Sequence, residues 1–178
     1  GKERAWKISR LREDMSRKGA DLCLLTSPDD IMWLLNIRGG DLPFNPVCFS
    51  YALAGALQIL LFIDEKKVPG HIAAEFDRLG IVMLPYSETE GMLATVTEAG
   101  TILIDPAGTN LSLYFSIPSE LKIIEDISPV LHLRSIKNPA EIANVSLTMI
   151  KDGVALTRFF KWIDENRGLV PMTELSLA

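Results

Sequence analysis

Apolar positions along the chain recur first at helical spacing and then as a continuous run. Ile8, Leu11 and Met15 lie three or four residues apart, which predicts an amphipathic helix over residues 3–18. The run at 22–25 is apolar throughout, and this is typical of a strand that is covered on both faces. The chain is therefore expected to begin with a helix followed by a buried strand.

A second helix and a strand pair are predicted next. Ser27 is positioned as a helix N-cap, Pro28 as the first helical residue and Asp30 as the carboxylate of a capping box. Two strand-like runs, at 47–54 and 57–63, are then separated by two small residues. This arrangement favours an antiparallel hairpin.

Helices and strands alternate from there to about residue 132. The predicted helices and the strands that follow them are 71–79 with 81–84, 88–99 with 101–104, and 110–115 with 121–124. Ser87 and Glu90 have the spacing of a capping box at the start of the second helix. Alternation of this kind favours helices on both faces of a mixed, mostly parallel sheet. We therefore predict an α/β fold, a three-layer domain with a six-stranded mixed sheet, over residues 1–133.

A different pattern follows this domain. Asn138, Pro139 and Glu141 repeat the N-cap, first-turn proline and capping carboxylate, and apolar residues then recur at helical spacing toward Gly168. One amphipathic helix of about seven turns is expected here. It is assigned to a second, truncated domain over residues 134–178, because its apolar face has no partner layer in the remaining sequence.

Composition and charge narrow the functional class. Of the 178 residues 48% are apolar, but no apolar run approaches the ~20 residues that a membrane span needs. The formal charge of −5 is spread along the chain, without the Lys/Arg cluster that is typical of nucleic-acid binding. Cys23 and Cys48 lie in apolar runs, where packing in the core is expected. We expect a soluble, cytoplasmic protein that has neither nucleic acid nor membrane as a partner.

Residue types that perform common enzyme chemistry are scattered. His71 and His132 are the two histidines, and neither stands beside a carboxylate or cysteine at metal-ligand spacing. No glycine-rich phosphate loop and no nucleophile elbow is present. The acidic pair Asp29 and Asp30 falls in the first turn of a helix, where the helix dipole favours negative charge. The sequence predicts no catalytic residue and no metal ligand in this chain.

The segment 36–46, called the 36–46 loop below, has an unusual composition for a connector. It contains two adjacent glycines, two prolines that stiffen its exit, and a pair of opposite charges. Two interpretations stay open. In the first, Arg38 pairs with Asp41 and Asn45 caps the turn, so that the loop only joins a helix to a strand. In the second, the loop lines a substrate path or a subunit contact through Arg38, Gly39, Gly40, Asp41 and Asn45.

Three stretches resemble the pita-bread metallopeptidases, the family of aminopeptidase P, prolidase and creatinase. Residues 30–52 read DIMWLLNIRGGDLPFNPVCFSYA and resemble the middle, non-catalytic, creatinase N-terminal-like domain of the three-domain Xaa-Pro aminopeptidases. Residues 133–142 read LRSIKNPAEI and resemble the segment that enters the catalytic domain. Residues 150–156 resemble the first helix of that domain. The resemblance covers essentially the whole chain.

The resemblance implies an activity that this chain does not carry alone. Such enzymes remove the N-terminal residue from peptides with proline at position two, using two divalent metal ions, commonly manganese, held by two Asp, one His and two Glu. Those ligands are expected after residue 178 and a further domain before residue 1. The chain is thus predicted to be an inactive fragment of a homodimeric peptidase. The alternatives are a non-catalytic binding or dimerisation module of a degenerate relative, and a fragment of a prolidase or creatinase.

Overall fold

Six strands form one mixed sheet in the computed structural model, which describes residues 1–177. They are β1 (Leu22–Leu25), β2 (Tyr51–Gly55), β3 (Ile59–Phe62), β4 (Ile81–Leu84), β5 (Thr101–Ile104) and β6 (Lys122–Glu125). Their order across the sheet is β4-β3-β2-β1-β5-β6. β1 is parallel to β5, β5 to β6 and β3 to β4, whereas β2 is antiparallel to both β1 and β3. All strands except β2 therefore point the same way, as the predicted mixed, mostly parallel sheet requires.

Helices cover both faces of this sheet or follow it. They are α1 (Arg4–Lys18), α2 (Pro28–Leu35), α3 (Gly70–Arg78), α4 (Thr89–Leu93), α5 (Leu111–Ser116), α6 (Pro129–Ser135), α7 (Pro139–Asn166) and α8 (Glu174–Leu177). Short 3-10 turns lie at Glu65–Lys67 and Tyr86–Glu88. α1 stops where predicted because Gly19 takes a left-handed conformation with φ 68°. Among residues 1–177, none of the helices is both long and apolar enough to cross a membrane.

Two apolar cores confirm the three-layer arrangement. In β1, Cys23 and Leu25 belong to the core that α1, α2 and α3 cover, whereas Leu24 belongs to the core that α4 and α5 cover. This alternation follows from the opposite directions of successive side chains in a strand. Cys48 is also buried, so both thiols pack in the core as predicted.

The structure corrects two predicted boundaries. The helix expected over 88–99 ends at Leu93, and the predicted capping box is wrong because Glu90 accepts a hydrogen bond from Ser112 of α5 instead. The strand expected from residue 47 begins only at Tyr51. Val47 is not free to join the sheet there, since its carbonyl accepts the Asp41 N–H at 3.0 Å within the 36–46 loop.

Residues Lys2–Ile136 form one compact unit, the sheet unit, and the residues from Lys137 onward form another, the helical unit. α6, which the sequence pattern did not predict, closes the sheet unit. In the helical unit the predicted capping box is confirmed, because Asn138 Oδ1 accepts the Glu141 N–H at 3.0 Å and Glu141 Oε2 accepts the Asn138 N–H at 2.8 Å. None of the residues of α7 is buried.

Candidate functional site

The carboxyl ends of five strands meet at one side of the sheet, which we call the carboxyl edge. Ligands of open α/β sheets bind outside the carboxyl ends of the strands. Because β2 runs in the opposite direction, it starts at this edge, and the 36–46 loop that leads into it lies here as well. The carboxyl edge is therefore where the residues with candidate functions come together.

Two basic side chains of α1 hold the start of the 36–46 loop. The ammonium of Lys7 donates to the carbonyl of Trp33 and to Asn36 Oδ1, both at 2.6 Å, and lies 3.9 Å from the centre of the Trp33 ring. The guanidinium of Arg4 donates to the carbonyl of Leu35. Asn36 ends α2 in a left-handed conformation with φ 51°. Positive charge at the carbonyl end of α2 stabilises this exit.

Arg38 and Asp41 do not pair with each other, and each of them binds other groups. Arg38 Nη1 donates to the carbonyls of Ile37 at 2.7 Å and Met32 at 3.2 Å, so it caps the end of α2. Asp41 Oδ2 accepts the ammonium of Lys67 at 2.7 Å and the Phe49 N–H at 2.8 Å. Both contacts hold the pKa of Asp41 below its ordinary value, and the bond to Asp41 raises the pKa of Lys67. The Arg38–Asp41 pair of the first interpretation is therefore wrong.

The middle of the loop folds back on its own main chain. A Cβ on Gly39 would overlap Cys48 Sγ and lie 2.8 Å from the Cys48 nitrogen, whereas Gly40 has open space. Gly39 is thus required by close approach, and its N–H donates to the Pro46 carbonyl at 3.1 Å. Asn45 closes the turn through its main chain, with its N–H 3.4 Å from the Leu42 carbonyl.

Phe44 at the tip of the loop was missed by sequence reasoning. Its side chain is fully exposed, and its φ of 62° is left-handed, which is unusual for a bulky residue. Leu42 beside it is also exposed. The loop is thus fixed at its base and presents apolar side chains at its tip.

A buried carboxylate lies at the same edge. Asp30, which is 2% exposed, accepts the Ser128 hydroxyl at 2.7 Å and lies 2.7 Å from Arg134 Nε. Asp105 Oδ2 accepts the Ser128 N–H at 2.9 Å. Burial raises the pKa of Asp30, and the Ser128 bond and the Arg134 charge oppose this rise. The predicted capping role of Asp30 is therefore wrong: the residue ties α2 to α6.

This carboxylate pair does not fit a metal ion. A cavity of about 220 Å³ borders Asp30 and Asp105. The guanidinium of Arg134 occupies the position at Asp30 that a cation would need, and Ser128 bonds to both carboxylates. Over residues 1–177, no three His, Cys, Asp or Glu side chains are grouped so that they could hold a metal ion.

Two tyrosines, which the sequence analysis did not single out, form a third feature of the carboxyl edge. Tyr51 begins β2 and Tyr86 follows β4, and their rings stack with centroids 5.1 Å apart and planes 19° apart. The side chain of Asn110 donates to the Tyr51 hydroxyl at 3.1 Å. No local motif marks these residues, because 35 positions separate the two tyrosines in sequence.

Comparison with known proteins agrees with the resemblance seen in the sequence. Xaa-Pro aminopeptidase 1 of Dictyostelium discoideum is 36% identical over 166 residues, which cover 93% of this chain and 26% of that protein. Xaa-Pro aminopeptidase ApepP of Drosophila melanogaster is 32% identical over 162 residues, covering 89% of this chain and 26% of that protein. The chain therefore spans 26% of the length of these curated relatives.

A solved structure matches the whole chain. It is the X-prolyl aminopeptidase of Caenorhabditis elegans, described as a cytosolic enzyme with a di-nuclear active site, with a TM-score of 0.81 and 29% identity over 100% of this chain and 30% of that one. The family model of the Creatinase/Prolidase N-terminal domain matches residues 1–141. Since this match covers most of its length, the chain belongs to the Creatinase/Prolidase N-terminal domain family.

Proposed function

We propose that this chain is a non-catalytic part of a metal-dependent Xaa-Pro aminopeptidase, which removes the N-terminal residue from peptides with proline at position two. In this proposal residues 1–133 are the middle, non-catalytic domain, and residues 134–178 are the linker and first helices of the catalytic domain. The relatives at 36% and 32% identity support it. The activity belongs to a longer protein, because the chain spans 26% of the length of these relatives.

The exposed apolar face of α7 is the observation that carries this proposal. α7 has 28 residues and buries none of them. Ile150 and Phe160 are 66% and 63% exposed, and Val145 and Leu156 are about half exposed. Soluble proteins rarely leave a continuous apolar surface of this extent uncovered. In the longer protein the remainder of the catalytic domain covers it.

The metal ions of the proposed enzyme bind to residues outside this chain. The carboxylate pair at the carboxyl edge, Asp30 and Asp105, is engaged by Ser128 and Arg134 and does not fit a cation. We propose two divalent ions, with manganese as the metal, and the description of the Caenorhabditis elegans enzyme as di-nuclear supports the number. We also propose a cytoplasmic location and a homodimer, and the cytosolic description of that same enzyme supports the location.

The 36–46 loop contributes to the substrate path or the subunit contact of the longer enzyme. Its base is fixed by Arg38, Gly39 and Asp41, whereas its tip presents the fully exposed Phe44. A loop that only joined a helix to a strand would not need an exposed aromatic side chain in a left-handed conformation. Gly40 and Asn45 complete the turn that positions this tip.

Peptide cleavage by the longer protein tests the proposed activity. With manganese added, it should release the first residue of an Xaa-Pro tripeptide and leave the matched Xaa-Ala tripeptide intact. The 178-residue chain serves as the control and should cleave neither peptide. Cleavage by the chain alone would contradict the proposal. An inactive longer protein that still dimerises would favour a binding module of a degenerate relative, and cleavage of Xaa-Pro dipeptides alone would favour a prolidase.

Substitutions in the longer protein test the loop. Arg38→Ala and Asp41→Ala should each change kcat/KM on an Xaa-Pro peptide or the mass of the protein in solution, because each removes a bond that fixes the loop. Lys66→Ala is the matched control, since this exposed side chain lies next to Lys67 but makes no bond to the loop. Unchanged kinetics and unchanged mass in both loop variants would reduce the loop to a connector.

A further inference from the structure

Tyr51, Tyr86 and Asn110 form an exposed aromatic surface at the carboxyl edge, which we call the tyrosine ledge. The two rings stack, and Tyr86 is 41% exposed. The Tyr51 hydroxyl accepts one N–H of the Asn110 amide and is bonded to the Tyr86 hydroxyl. Burial and this bond raise the pKa of Tyr86 to about 12, so its hydroxyl keeps its proton at neutral pH.

The two sides of the ledge differ in polarity. On one side Tyr86 borders a cavity of about 440 Å³, which is lined by apolar residues (Ile63, Met83, Leu84 and Pro85) and equally by polar ones (Asp64, Glu65, Lys66 and Ser87). A cavity of this size falls in the range of small-ligand sites. On the other side, Leu111 and Phe115 lie one turn apart on α5, next to Asn110, and are 72% and 77% exposed. The ledge therefore continues as an exposed apolar strip toward α5.

Hydrogen-bonding groups at the ledge are neutral. Within residues 1–177 the second N–H of the Asn110 amide makes no hydrogen bond. None of the three side chains of the ledge bonds to a charged side chain in the same part of the protein. Stacked aromatic rings beside neutral donors suit a ligand that offers apolar rings and free carbonyl groups. They do not favour an ionic ligand.

We propose that the tyrosine ledge binds a proline-containing peptide segment in an extended, polyproline II conformation. Proline rings pack on aromatic side chains, and the carbonyls of a polyproline II helix have no internal partners, so the second N–H of the Asn110 amide can donate to one of them. The proposal rests on the proposed function, because it assigns the ledge to substrate residues that lie beyond the cleaved bond. It makes the sheet unit a second contact for long substrates.

Binding to the 178-residue chain tests the ledge without any catalysis. The probe is a heptapeptide with three prolines, blocked at both ends, and the control is the same peptide with alanine at the three positions. Amide resonances of Tyr51, Tyr86 and Asn110 should shift on addition of the proline peptide, and the alanine peptide should bind at least about fivefold more weakly. Equal binding of the two peptides, or shifts confined to other residues, would overturn the proposal.

Substitutions at Tyr86 test whether its aromatic ring makes the contact with the peptide. Tyr86→Ala should weaken binding about tenfold, while Tyr86→Phe, which keeps the ring, should retain most of it. Leu57→Ser removes an exposed apolar side chain between β2 and β3, at the end of the sheet opposite the ledge, and should bind like the unmodified chain. Should Tyr86→Ala fail to fold, Leu111→Ser on the exposed strip replaces it and should bind more weakly. Self-association that Tyr86→Ala or Leu111→Ser abolishes would identify a second copy as the occupant and reject the peptide.

Kinetics of the longer protein separate this proposal from the proposed function. In this proposal the ledge binds substrate residues beyond the length of a tripeptide, so Tyr86→Ala should raise KM for an Xaa-Pro heptapeptide and leave KM for an Xaa-Pro tripeptide unchanged. An equal effect on both substrates would reject the ledge and leave the aminopeptidase assignment intact. If the 178-residue chain binds the blocked peptide but the longer protein cleaves no substrate, the aminopeptidase assignment is rejected and the proposed role of the ledge stands.

Discussion

α1 and α7 are both amphipathic helices, but only α1 buries its apolar residues. In α1, Leu11 is fully buried and Ile8 is 3% exposed. In α7, Leu156 is 47% exposed and Phe160 is 63% exposed. The spacing of apolar residues is helical in both segments, so the pattern identifies an apolar face without identifying what covers it.

The two helices therefore owe their stability to different interactions. α1 is stabilised by the apolar area that it buries against β1 and α2, which is the largest favourable contribution in a folded domain. α7 buries no residue and relies on local interactions, above all its capping box and the helix propensity of its residues. Substitutions should affect the two helices through different mechanisms and by different amounts.

The largest effect should come from the same substitution made in each helix. Leu11→Ala should lower the free energy of unfolding by about 2–5 kcal/mol, because it leaves a cavity in a close-packed core. Leu156→Ala should change it by less than about 0.5 kcal/mol, since its side chain is half exposed. Urea unfolding followed by far-UV circular dichroism measures both. Equal losses would mean that α7 is packed as tightly as α1.

A substitution at the packed base of the 36–46 loop should give the next largest loss of stability. Gly39→Ala should cost about 1–3 kcal/mol, because the added methyl group overlaps the side chain and main chain of Cys48. Gly40→Ala, where the space is open, is the control and should cost less than about 0.5 kcal/mol. Thermal unfolding of the two variants compares them directly. A Gly39→Ala variant as stable as Gly40→Ala would show that the loop does not belong to the packed part of the sheet unit.

A helix that relies on local interactions should respond strongly to the loss of its cap. Asn138→Ala should destabilise the first turn of α7 by about 1 kcal/mol, because the Glu141 N–H loses its acceptor. Hydrogen exchange at that amide should then be about fivefold faster. Asn144→Ala, an exposed asparagine inside the same helix, is the control. Unchanged exchange in the Asn138 variant would mean that contacts other than the cap hold this turn.

The fold was predictable where apolar contacts alone decide it. The predicted strands at 22–25, 81–84 and 101–104 coincide with β1, β4 and β5, because short runs of β-branched and other apolar residues pack well in a sheet, whether buried as in β1 and β5 or partly exposed as in β4. The early end of α4 was not predictable. Glu90 has the local spacing of a cap, but its carboxylate is held by Ser112 of another helix, and sequence spacing does not reveal such a distant partner.

The same limit applies to the candidate site. The 36–46 loop was found from its glycines, prolines and charges, which are local signals. The partner of Asp41 is Lys67, 26 positions away, so the local sequence suggested Arg38 instead. The tyrosine ledge leaves still less trace, because Tyr51 resembles any aromatic residue of a strand until the fold brings Tyr86 beside it.

The smallest and most local of the expected effects concerns the titration of the Asp41 carboxylate. Lys67 and the Phe49 N–H stabilise its ionised form, so its pKa lies below the ordinary value of about 3.9. The contacts are therefore complete above about pH 4 and are lost as the pH falls through the lowered pKa. The Phe49 amide shift, followed by NMR, should titrate with a midpoint below about 3.9, whereas Asp41→Asn should remove this step.

Added salt should move the midpoint toward the ordinary value, because Lys67 is partly exposed and its charge is screened. A midpoint at or above the ordinary value would mean that Lys67 does not hold the loop in solution, and the base of the loop would then be fixed by Arg38 and by the close contact of Gly39 with Cys48 instead.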